Sequence, residues 1–465
     1  MTDAIRKASL EKTRGTTLQD ELARFLEAHP ETTHLDAVLF DLCGNAYGKR
    51  MPRAHMAKFF EAGSPICAAM SLVDVQGNTA DPMGYGFSDG DPDATVMPVS
   101  GTLVPVPWNP GIAQVLCTPA GASTGEAFWY DPRTVLSRTV SILHEAGLRP
   151  VVAAELEFYL IDPARREDGS PLPVRSPKTG IAETAGKVLS LAKLDEYQPF
   201  ISAVEAACAA QNIPSSTIIS EYGAGQFEVN LEHRDDPVRA ADDACLLRRV
   251  IQSIARQFDM EATFMSKPFP DMAGSGLHVH ASMLGPDGQN LFNNGRPDGQ
   301  ATLGHAVAGL QATMAEGMAI FAPNLNVFRR FAANNFTPVT RDWGENNRSV
   351  AFRVPVSSGA ARRIEHRASG AEANPYLVIA AVLAGMHHGI ENRLDPGPMH
   401  RGNAGAEIDP ALPLTPWDSL SALRAATILP RWLGKDYPAI YASVKEAEFL
   451  AFMSAISRRE YEWYL

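Results

Sequence analysis

Residues 151–162 read VVAAELEFYLID, and this stretch decides the fold because it predicts a long apolar strand that carries two acids. Glu155 and Glu157 occupy alternate positions, so both carboxylates point to the same face of that strand. A solvated strand face explains this pair equally well when it is taken alone. If the face is buried, two like charges side by side require a cation.

Further acids and two histidines follow in similar surroundings. In SEYGAGQFEVN, Glu221 precedes a glycine-containing turn and Glu228 lies in the strand that comes next. In GSGLHVHASM, His278 and His280 share one strand face after a turn whose glycines permit close approach of the backbone to a ligand. A lone core histidine or a surface salt bridge is the simpler explanation for any one such residue. The segment NNRSVAFRVPVSSGAARRIEHRASG then adds Arg348, Arg353, Arg363, Glu365 and Arg367.

These side chains together form a set of five carboxylates, two imidazoles and several arginines without thiolates. Such an oxygen-rich set favours Mg²⁺ or Mn²⁺ over zinc. Arginines beside these ions suit a transferring phosphoryl group, so the residues predict ATP as a co-substrate. No Walker loop, Rossmann fingerprint or kinase glycine loop is present in the sequence, so another architecture must hold the nucleotide.

Composition excludes several classes of protein. The 465 residues carry a formal net charge of −12, which argues against a nucleic-acid binder. We find no apolar run long enough for a membrane span and no signal peptide, so we expect a cytoplasmic protein without a membrane partner. The five cysteines have neither CxxC nor zinc spacing, which indicates reduced packing residues.

The pattern of elements predicts an α+β protein of two domains with a boundary near residue 125. The N-terminal domain, 1–125, begins with a helix, continues with the hairpin HLDAVLFDLCGNAYGKRMP and contains a long loop at 74–93. The second domain, 126–465, alternates helices with short strands, and Asp131 is placed to cap its first helix before Pro132. Its helices are predicted at 132–146, 195–211, 238–258, 301–320 and 373–392, and its strands at 150–160, 226–231, 277–283, 350–355 and 362–367.

Several motifs in this order resemble the glutamine synthetase superfamily: AAELEFYL, SEYGAGQFEVN, KPFPDMAGSGLHVHAS, NVFRRF, NNRSVAFRVP and ARRIEHRASGAEANPYL. The resemblance covers nearly the whole chain. It implies a small β-grasp N-terminal domain and a larger catalytic domain whose antiparallel sheet forms the active-site funnel. It also implies a homo-oligomer, a dodecamer of two stacked hexamers, with each site shared between neighbouring subunits.

The resemblance also assigns roles to residues of this chain, with two or more metal ions in each site. One ion would be held by Glu157, Glu221 and Glu228, and the second by Glu155, His278 and Glu365. L-Glutamate would be bound by Gly274, Arg330 and Arg367. The phosphates would meet Arg348, Arg353 and Arg363, and the nucleotide would contact His280, Ser282 and Arg353. The implied reaction makes a γ-glutamyl phosphate from glutamate and ATP, which an amine then attacks.

The sequence departs from the ammonia-using members of this superfamily at the acceptor site. Phe336 stands where those enzymes carry a glutamate that closes the ammonium pocket, and the 74–93 loop lacks their Asp-Gly-Ser-Ser sequence. The acids Asp89, Asp91 and Asp93 of this loop could attract a cationic substrate, although a solvated loop explains them equally well. Further departures are Ala273 in place of an asparagine and Ala360 in place of a lysine.

We therefore predict ligation of glutamate to a small amine, with a polyamine such as putrescine favoured. A γ-glutamyl monoamide synthetase acting on an alkylamine, ethanolamine or an aromatic amine is the first alternative. The others are an ammonia-using glutamine synthetase, a non-catalytic structural relative and a phosphagen-type kinase, which shares the acid and arginine chemistry. Asp342, Glu345 and the loop acids are candidates for the base that deprotonates the amine.

Overall fold

The computed structural model describes residues 17–121 and 128–465, which form two compact units. The smaller unit comprises the described residues of Met1–Leu39, Tyr47–Ala68 and Asp93–Phe128. The larger unit comprises Phe40–Ala46, Ala69–Pro92 and Trp129–Leu465. The domain boundary expected near residue 125 lies outside the described residues, so it stays a prediction.

The smaller unit is built on a mixed sheet, which in the described residues has six strands in the order β2-β1-β6-β4-β3 with β5 beside β6. The first and sixth strands run parallel. Residues 112–121 form one continuous strand, because its backbone pairs with a neighbouring strand as far as Gly121. The elements are α1 (Leu18–Ala28), β1 (His34–Phe40), β2 (Ala46–Pro52), α2 (Arg53–Ala62), β3 (Ser64–Cys67), β4 (Asp93–Pro98), β5 (Val104–Pro105) and β6 (Ile112–Gly121).

The larger unit contains a sheet of nine strands among the described residues, in the order β13-β14-β15-β12-β7-β10-β9, with β8 and β11 also paired to β7. Its pairs are antiparallel except for β13 with β14. The strands predicted by alternation are confirmed, while β8, β9, β11 and β13 were not predicted. The strands are β7 (Arg149–Arg165), β8 (Pro171–Pro173), β9 (Ser215–Ser220), β10 (Gln226–Leu231), β11 (Glu261–Thr263), β12 (Leu277–Leu284), β13 (Trp343–Glu345), β14 (Phe352–Val354) and β15 (Ile364–His366).

Strand register brings the acidic and basic segments together. On β7, Glu155 lies opposite His278 of β12, and Glu157 lies opposite Glu228 of β10. On β15, Glu365 lies opposite His280 on one side and Arg353 on the other. Side chains of directly opposed residues on one face are close neighbours, so the sheet alone collects groups from four distant segments.

Helices cover this sheet and carry much of the core. The helices at 299–321 and 375–392 pack so closely that a Cβ atom on Gly309 would lie 2.0 Å from the carbonyl oxygen of Gly385, which only glycine permits. The five predicted helices of the second domain are confirmed. None of the described helices is long and apolar enough to cross a membrane. The helices are α3 (Pro132–Glu145), α4 (Leu191–Glu196), α5 (Gln198–Ala210), α6 (Pro237–Gln257), α7 (Gly299–Phe321), α8 (Pro375–Asn392), α9 (Pro416–Arg424), α10 (Pro430–Leu433), α11 (Tyr437–Ser454) and α12 (Arg458–Tyr464).

Asp131 caps α3 as predicted, and its burial makes a prediction about pH. Its carboxylate accepts hydrogen bonds from the backbone N–H of Thr134 at 2.9 Å and from its hydroxyl at 3.1 Å. Burial raises the pKa of Asp131 to about 6, against an ordinary 3.8. The folded chain therefore keeps a proton that the unfolded chain loses between about pH 4 and pH 6, so this group lowers the free energy of unfolding as pH rises through that window.

We expect Asp131→Asn to remove this fall, which corresponds to roughly 3 kcal/mol, because the amide oxygen still caps the helix but does not titrate. Thermal unfolding midpoints of wild type and variant, measured from pH 4 to pH 8, test this expectation. The exposed Asp195→Asn is the matched control and should run parallel to wild type. Parallel curves for Asp131→Asn as well would contradict the prediction.

Candidate functional site

Glu155 lies at the centre of a cluster of carboxylates and imidazoles on the sheet. Its Oε1 is 2.8 Å from Nε2 of His280, and its Oε2 is 3.3 Å from Nδ1 of His278. Nε of Arg363 donates to Nδ1 of His280 at 3.1 Å, so the proton of a neutral His280 lies on Nε2 and is donated to Glu155. The predicted shared face of the two histidines is therefore found, with both rings directed at one carboxylate.

Among the residues that the structure describes, two groups of three side chains have donor atoms within 4.8 Å of one another. The first group is Glu155, His278 and Glu365, and the second is Glu157, Glu228 and His278. The first equals one of the two sets implied by family resemblance. The second shares His278 and does not include Glu221, which lies at the end of β9 near the carboxylate of Glu157.

Electrostatics shows that this cluster carries excess negative charge. Burial, together with the negative charges of Glu155 and Glu157, raises the pKa of Glu228 well above its usual range. Burial and the nearby Glu157 raise the pKa of Glu221 to about 7. Burial acts in the same direction on Glu155, but hydrogen bonds from His278 and His280 lower its pKa below the usual range.

Glu365 joins the acidic cluster to the arginines. It is 1% exposed, and it accepts a hydrogen bond from Nη1 of Arg353 at 2.5 Å and another from Nη1 of Arg367. Burial would raise the pKa of Glu365, but Arg367 and then the two histidines lower it to about 2. This carboxylate therefore fixes two guanidinium groups beside the histidines.

Arg330 and Gly274 lie against each other, as their shared role in binding glutamate would require. A Cβ atom on Gly274 would lie 2.7 Å from Cγ of Arg330, so only glycine lets the arginine stem pass. Arg330 is 4% exposed, its Nη1 donates to the carbonyl oxygen of Ala368 at 3.4 Å, and its Nε has no hydrogen-bond partner. No carboxylate lies within 4.0 Å of it among the described residues, which leaves this buried cation suited to an external carboxylate.

Two other predicted residues lie at the margin of the cluster. Ser282 is buried on β12, two positions beyond His280 and therefore on the same face. Arg348 lies exposed in the loop before β14, and its charge lowers the pKa of Glu221 against the larger effects of burial and Glu157.

Phe336 is exposed and packs against an aromatic residue that the sequence did not reveal. Its ring centroid lies 5.9 Å from that of Tyr222, the residue that follows Glu221. Phe336 is 58% exposed and Tyr222 is 57% exposed, which is unusual for a contacting pair of large rings. A lone aromatic residue beside an acid has no diagnostic spacing, so only the contact with Phe336 identifies Tyr222.

The other candidates make local contacts. Asp342 accepts from the hydroxyl of Thr340 at 2.9 Å and lies 3.3 Å from Nδ1 of His400, while Glu345 pairs with Arg362 at 2.9 Å. Asp89 accepts from two backbone N–H groups of its own loop. Ala273 and Ala360, where the sequence differs from the ammonia-using enzymes, both accept hydrogen bonds through their carbonyl oxygens. Ala273 accepts from the hydroxyl of Tyr159, and Ala360 accepts from the side-chain amide of Asn290.

The fold and these donors define a class of protein. Carboxylates and one imidazole from β7, β10, β12 and β15 converge with excess negative charge, and their oxygen-rich chemistry fits hard divalent cations. Arg353 of β14 and Arg367, which directly follows β15, adjoin these carboxylates, where they suit anionic substrates. This arrangement is typical of metal-dependent enzymes that act on anionic, oxygen-rich substrates.

Comparison with known proteins makes this assignment specific. Residues 129–464 match the model of the glutamine synthetase catalytic domain. The chain belongs to the glutamine synthetase family, and the resemblance seen in its motifs is confirmed. A solved structure of GmaS without ligand superposes with a TM-score of 0.81 at 25% sequence identity, over 97% of this chain and 99% of that chain. The predicted α+β fold with a catalytic domain of the glutamine synthetase type is confirmed too.

The curated relatives are ligases of several kinds. The chain is 37% identical over 456 residues to γ-glutamylputrescine synthetase of Escherichia coli (strain K12), covering 98% of this chain and 96% of that enzyme. It is 33% identical to the glutamate–isopropylamine ligase of a Pseudomonas species, covering 82% of each chain. It is 28% identical to γ-glutamylethanolamide synthetase of Streptomyces coelicolor, covering 91% of each. The chain is accordingly a ligase.

Proposed function

We propose that the protein ligates the γ-carboxylate of L-glutamate to a small amine with consumption of ATP, and that its preferred acceptor is a polyamine such as putrescine. The γ-carboxylate attacks the γ-phosphorus of ATP, which releases ADP and gives γ-glutamyl phosphate. The amine nitrogen then attacks the acyl carbon, loses a proton and expels phosphate. The observation that supports a substituted amine over ammonia is the exposed ring pair of Tyr222 and Phe336 beside Glu221.

The acidic cluster would hold the divalent ions, Mg²⁺ or Mn²⁺. Glu155, His278 and Glu365 form one ligand set, and Glu157, Glu228 and His278 form the geometric group nearest to the second, to which Glu221 is added by resemblance. When bound, such ions neutralise phosphate and carboxylate oxygens that otherwise repel each other. Glu155 also holds the His278 and His280 rings in position through its two oxygens.

The arginines bind and orient the two anionic substrates. Arg330 and Arg367 receive the carboxylate groups of glutamate beside the Gly274 backbone, where the missing Cβ makes room for the stem of Arg330. Arg353, fixed by Glu365, Arg363, fixed against His280, and Arg348 meet the phosphates. Positioned guanidinium groups stabilise the charge that develops on a transferring phosphoryl group without having to reorganise.

The acceptor pocket favours an alkyl amine for a physical reason. Phe336 replaces an anionic group with a ring, so an ammonium ion loses a charged partner there and a methylene chain gains apolar contact. A second ammonium group on a diamine can lie over the face of Tyr222 or Phe336 as a cation–π contact. The 37% identity to an enzyme named for putrescine supports the same choice.

A phosphate-release screen tests the proposal. Purified protein with ATP, Mg²⁺ and L-glutamate is supplied in turn with putrescine, spermidine, isopropylamine, ethanolamine, aniline and ammonium. We expect the highest kcat/KM with a polyamine, and mass spectrometry should identify the γ-glutamylamide. A preference for one monoamine would favour the monoamide alternative, whereas turnover with ammonium alone would contradict amine ligation. The absence of turnover with every acceptor would favour the non-catalytic relative.

The two stacked hexamers implied by family resemblance are likewise proposed. We expect light scattering to give a molar mass twelve times that of one chain, and a mass of one or two chains would contradict this assembly.

Tyr222 provides a prediction that is independent of the metal ligands. We expect Tyr222→Ala to raise KM for the amine by about 10-fold with little change in KM for ATP, because one wall of the acceptor pocket is lost. Tyr222→Phe keeps the ring and should stay within about two-fold of wild type. Initial rates at varied amine and saturating ATP and glutamate measure this. Equal KM values for the amine in all three proteins would show that Tyr222 does not line the pocket.

A further inference from the structure

A cavity of about 270 Å³ lies in the larger unit, away from the residues assigned above. Its lining includes Gly44, Arg248 of α6, Phe264, Glu372 and Lys445 of α11. None of the residues predicted to bind metal, glutamate or nucleotide lines it among the residues that the structure describes. Since a water molecule occupies roughly 30 Å³ in the liquid, the cavity has room for a small organic or inorganic ion.

Arg248 faces this cavity as a buried cation with few partners. It is 8% exposed, and a Cβ atom on Gly44 would lie 3.5 Å from its Nη1, which places the guanidinium at the cavity wall. Its Nη2 donates to the carbonyl oxygen of Ala373 at 2.7 Å, and the group lies 5.6 Å from the ring centroid of Phe264. Its Nε has no hydrogen-bond partner. A guanidinium has five N–H donors, so most of its capacity is unused.

Comparison with other arginines shows what this pattern means. Four arginines in the described part of the chain have a buried Nε without a partner: Arg248, Arg330, Arg353 and Arg367. The last three are assigned to glutamate and phosphate oxygens. Arg353 and Arg367 pair with Glu365, whereas Arg248, like Arg330, has no carboxylate within 4.0 Å among the described residues. Arg248 thus repeats the pattern of a proposed anion-binding arginine at a second place.

The charged residues around the cavity also leave Arg248 in need of an anionic partner. Lys445 is neutralised locally because its Nζ donates to Glu448 at 2.9 Å and lies 3.2 Å from Sγ of Cys43. Glu372 accepts from Ser266 and from the amide of Asn324. Apart from the Lys445–Glu448 pair, the lining that the structure describes includes Arg248 and Glu372, and no carboxylate lies within 4.0 Å of the Arg248 guanidinium among the described residues. An uncompensated buried charge is costly, and a bound anion offsets that cost.

We propose that this cavity is a binding site for a small oxyanion, a carboxylate or a phosphate, held by the guanidinium of Arg248. The planar fork of that group matches two oxygens of either anion. Nη1, which lies at the cavity wall beside Gly44, supplies the donors, while the ring of Phe264 lies against the guanidinium. The site is separate from the metal cluster and needs neither ATP nor divalent ions.

Thermal unfolding with sodium phosphate and with sodium acetate, each against sodium chloride at equal ionic strength, tests this proposal. Arg248→Gln removes the cation, and Arg256→Gln removes a cation from an exposed position of the same helix as the matched control. We expect one or both anions to raise the unfolding midpoint of wild type and Arg256→Gln by about 2 °C more than that of Arg248→Gln. An increase with only one anion identifies which source of the oxyanion the site takes.

Because active-site arginines also meet phosphate, the quantity that decides is the difference between wild type and Arg248→Gln. Equal increases in all three proteins would overturn the proposal. If Arg248→Gln does not fold, crystals of the wild-type protein soaked in selenate decide instead. An anomalous peak beside Arg248 supports the site, and its absence from the cavity overturns the proposal by showing that water alone fills it.

Discussion

Replacing Glu365 by glutamine is expected to reduce kcat by about 10³-fold, which is one of the two largest effects we predict. This carboxylate belongs to the donor group with Glu155 and His278, and it also fixes Arg353 and Arg367. Glutamine keeps the shape but loses the charge, so one metal set is weakened and both guanidinium groups lose their anchor. Phosphate release at saturating ATP, glutamate and amine measures the change.

A matched control separates this effect from the general loss of an ion pair. Glu391 pairs with Arg431 on the surface, where both side chains are substantially exposed. We expect Glu391→Gln to keep kcat within about two-fold of wild type. Circular dichroism and unfolding midpoints should show that Glu365→Gln is folded. A folded Glu365→Gln enzyme with near wild-type kcat would contradict the assigned role.

The second large effect concerns the acceptor. Phe336→Glu restores an anionic side chain beside Tyr222, which favours ammonium through charge and disfavours an alkyl chain through loss of apolar contact. We expect the ratio of kcat/KM for ammonium to that for putrescine to rise by about 10²-fold. The same phosphate-release assay with the two acceptors, at fixed glutamate and ATP, measures this ratio.

Phe336→Leu is the appropriate control because it keeps an apolar side chain while it removes the ring. Its specificity ratio should stay within about ten-fold of wild type, since apolar contact is reduced but no charge is added. If Phe336→Glu leaves the ratio unchanged while glutamate-dependent turnover persists, the acceptor is selected elsewhere in the protein.

Much of the fold could be predicted because local signals agreed with the final structure. Asp131 before Pro132 predicted the start of α3, and the alternation in residues 151–162 predicted β7. The strand β9, SSTIIS, was missed because its serines and partial exposure give no clear two-residue alternation of buried side chains. The helix α11 was not predicted because its own apolar residues are distributed all round its circumference, so its sequence shows little helical periodicity.

The candidate site was predictable to a different degree for each kind of residue. Acids and histidines at alternate strand positions could be recognised from the sequence, and family resemblance supplied the role of each. Tyr222 and Arg248 did not, because one aromatic residue after an acid and one arginine of an Arg-Arg pair on a helix are common on protein surfaces. Their contacts and burial distinguish them, and these depend on residues far away in sequence.

The sequence by itself determined which side chains share a face, because the two-residue period of a strand fixes Glu155 with Glu157 and His278 with His280. It did not determine which strands meet. Glu155 and His278 are 123 positions apart in the sequence, and the register of β7 with β12, which is set by packing on both faces of the sheet, brings them together. The tertiary structure alone decided that His278 serves both donor groups, that Tyr222 meets Phe336, and that Arg248 lies buried without a carboxylate.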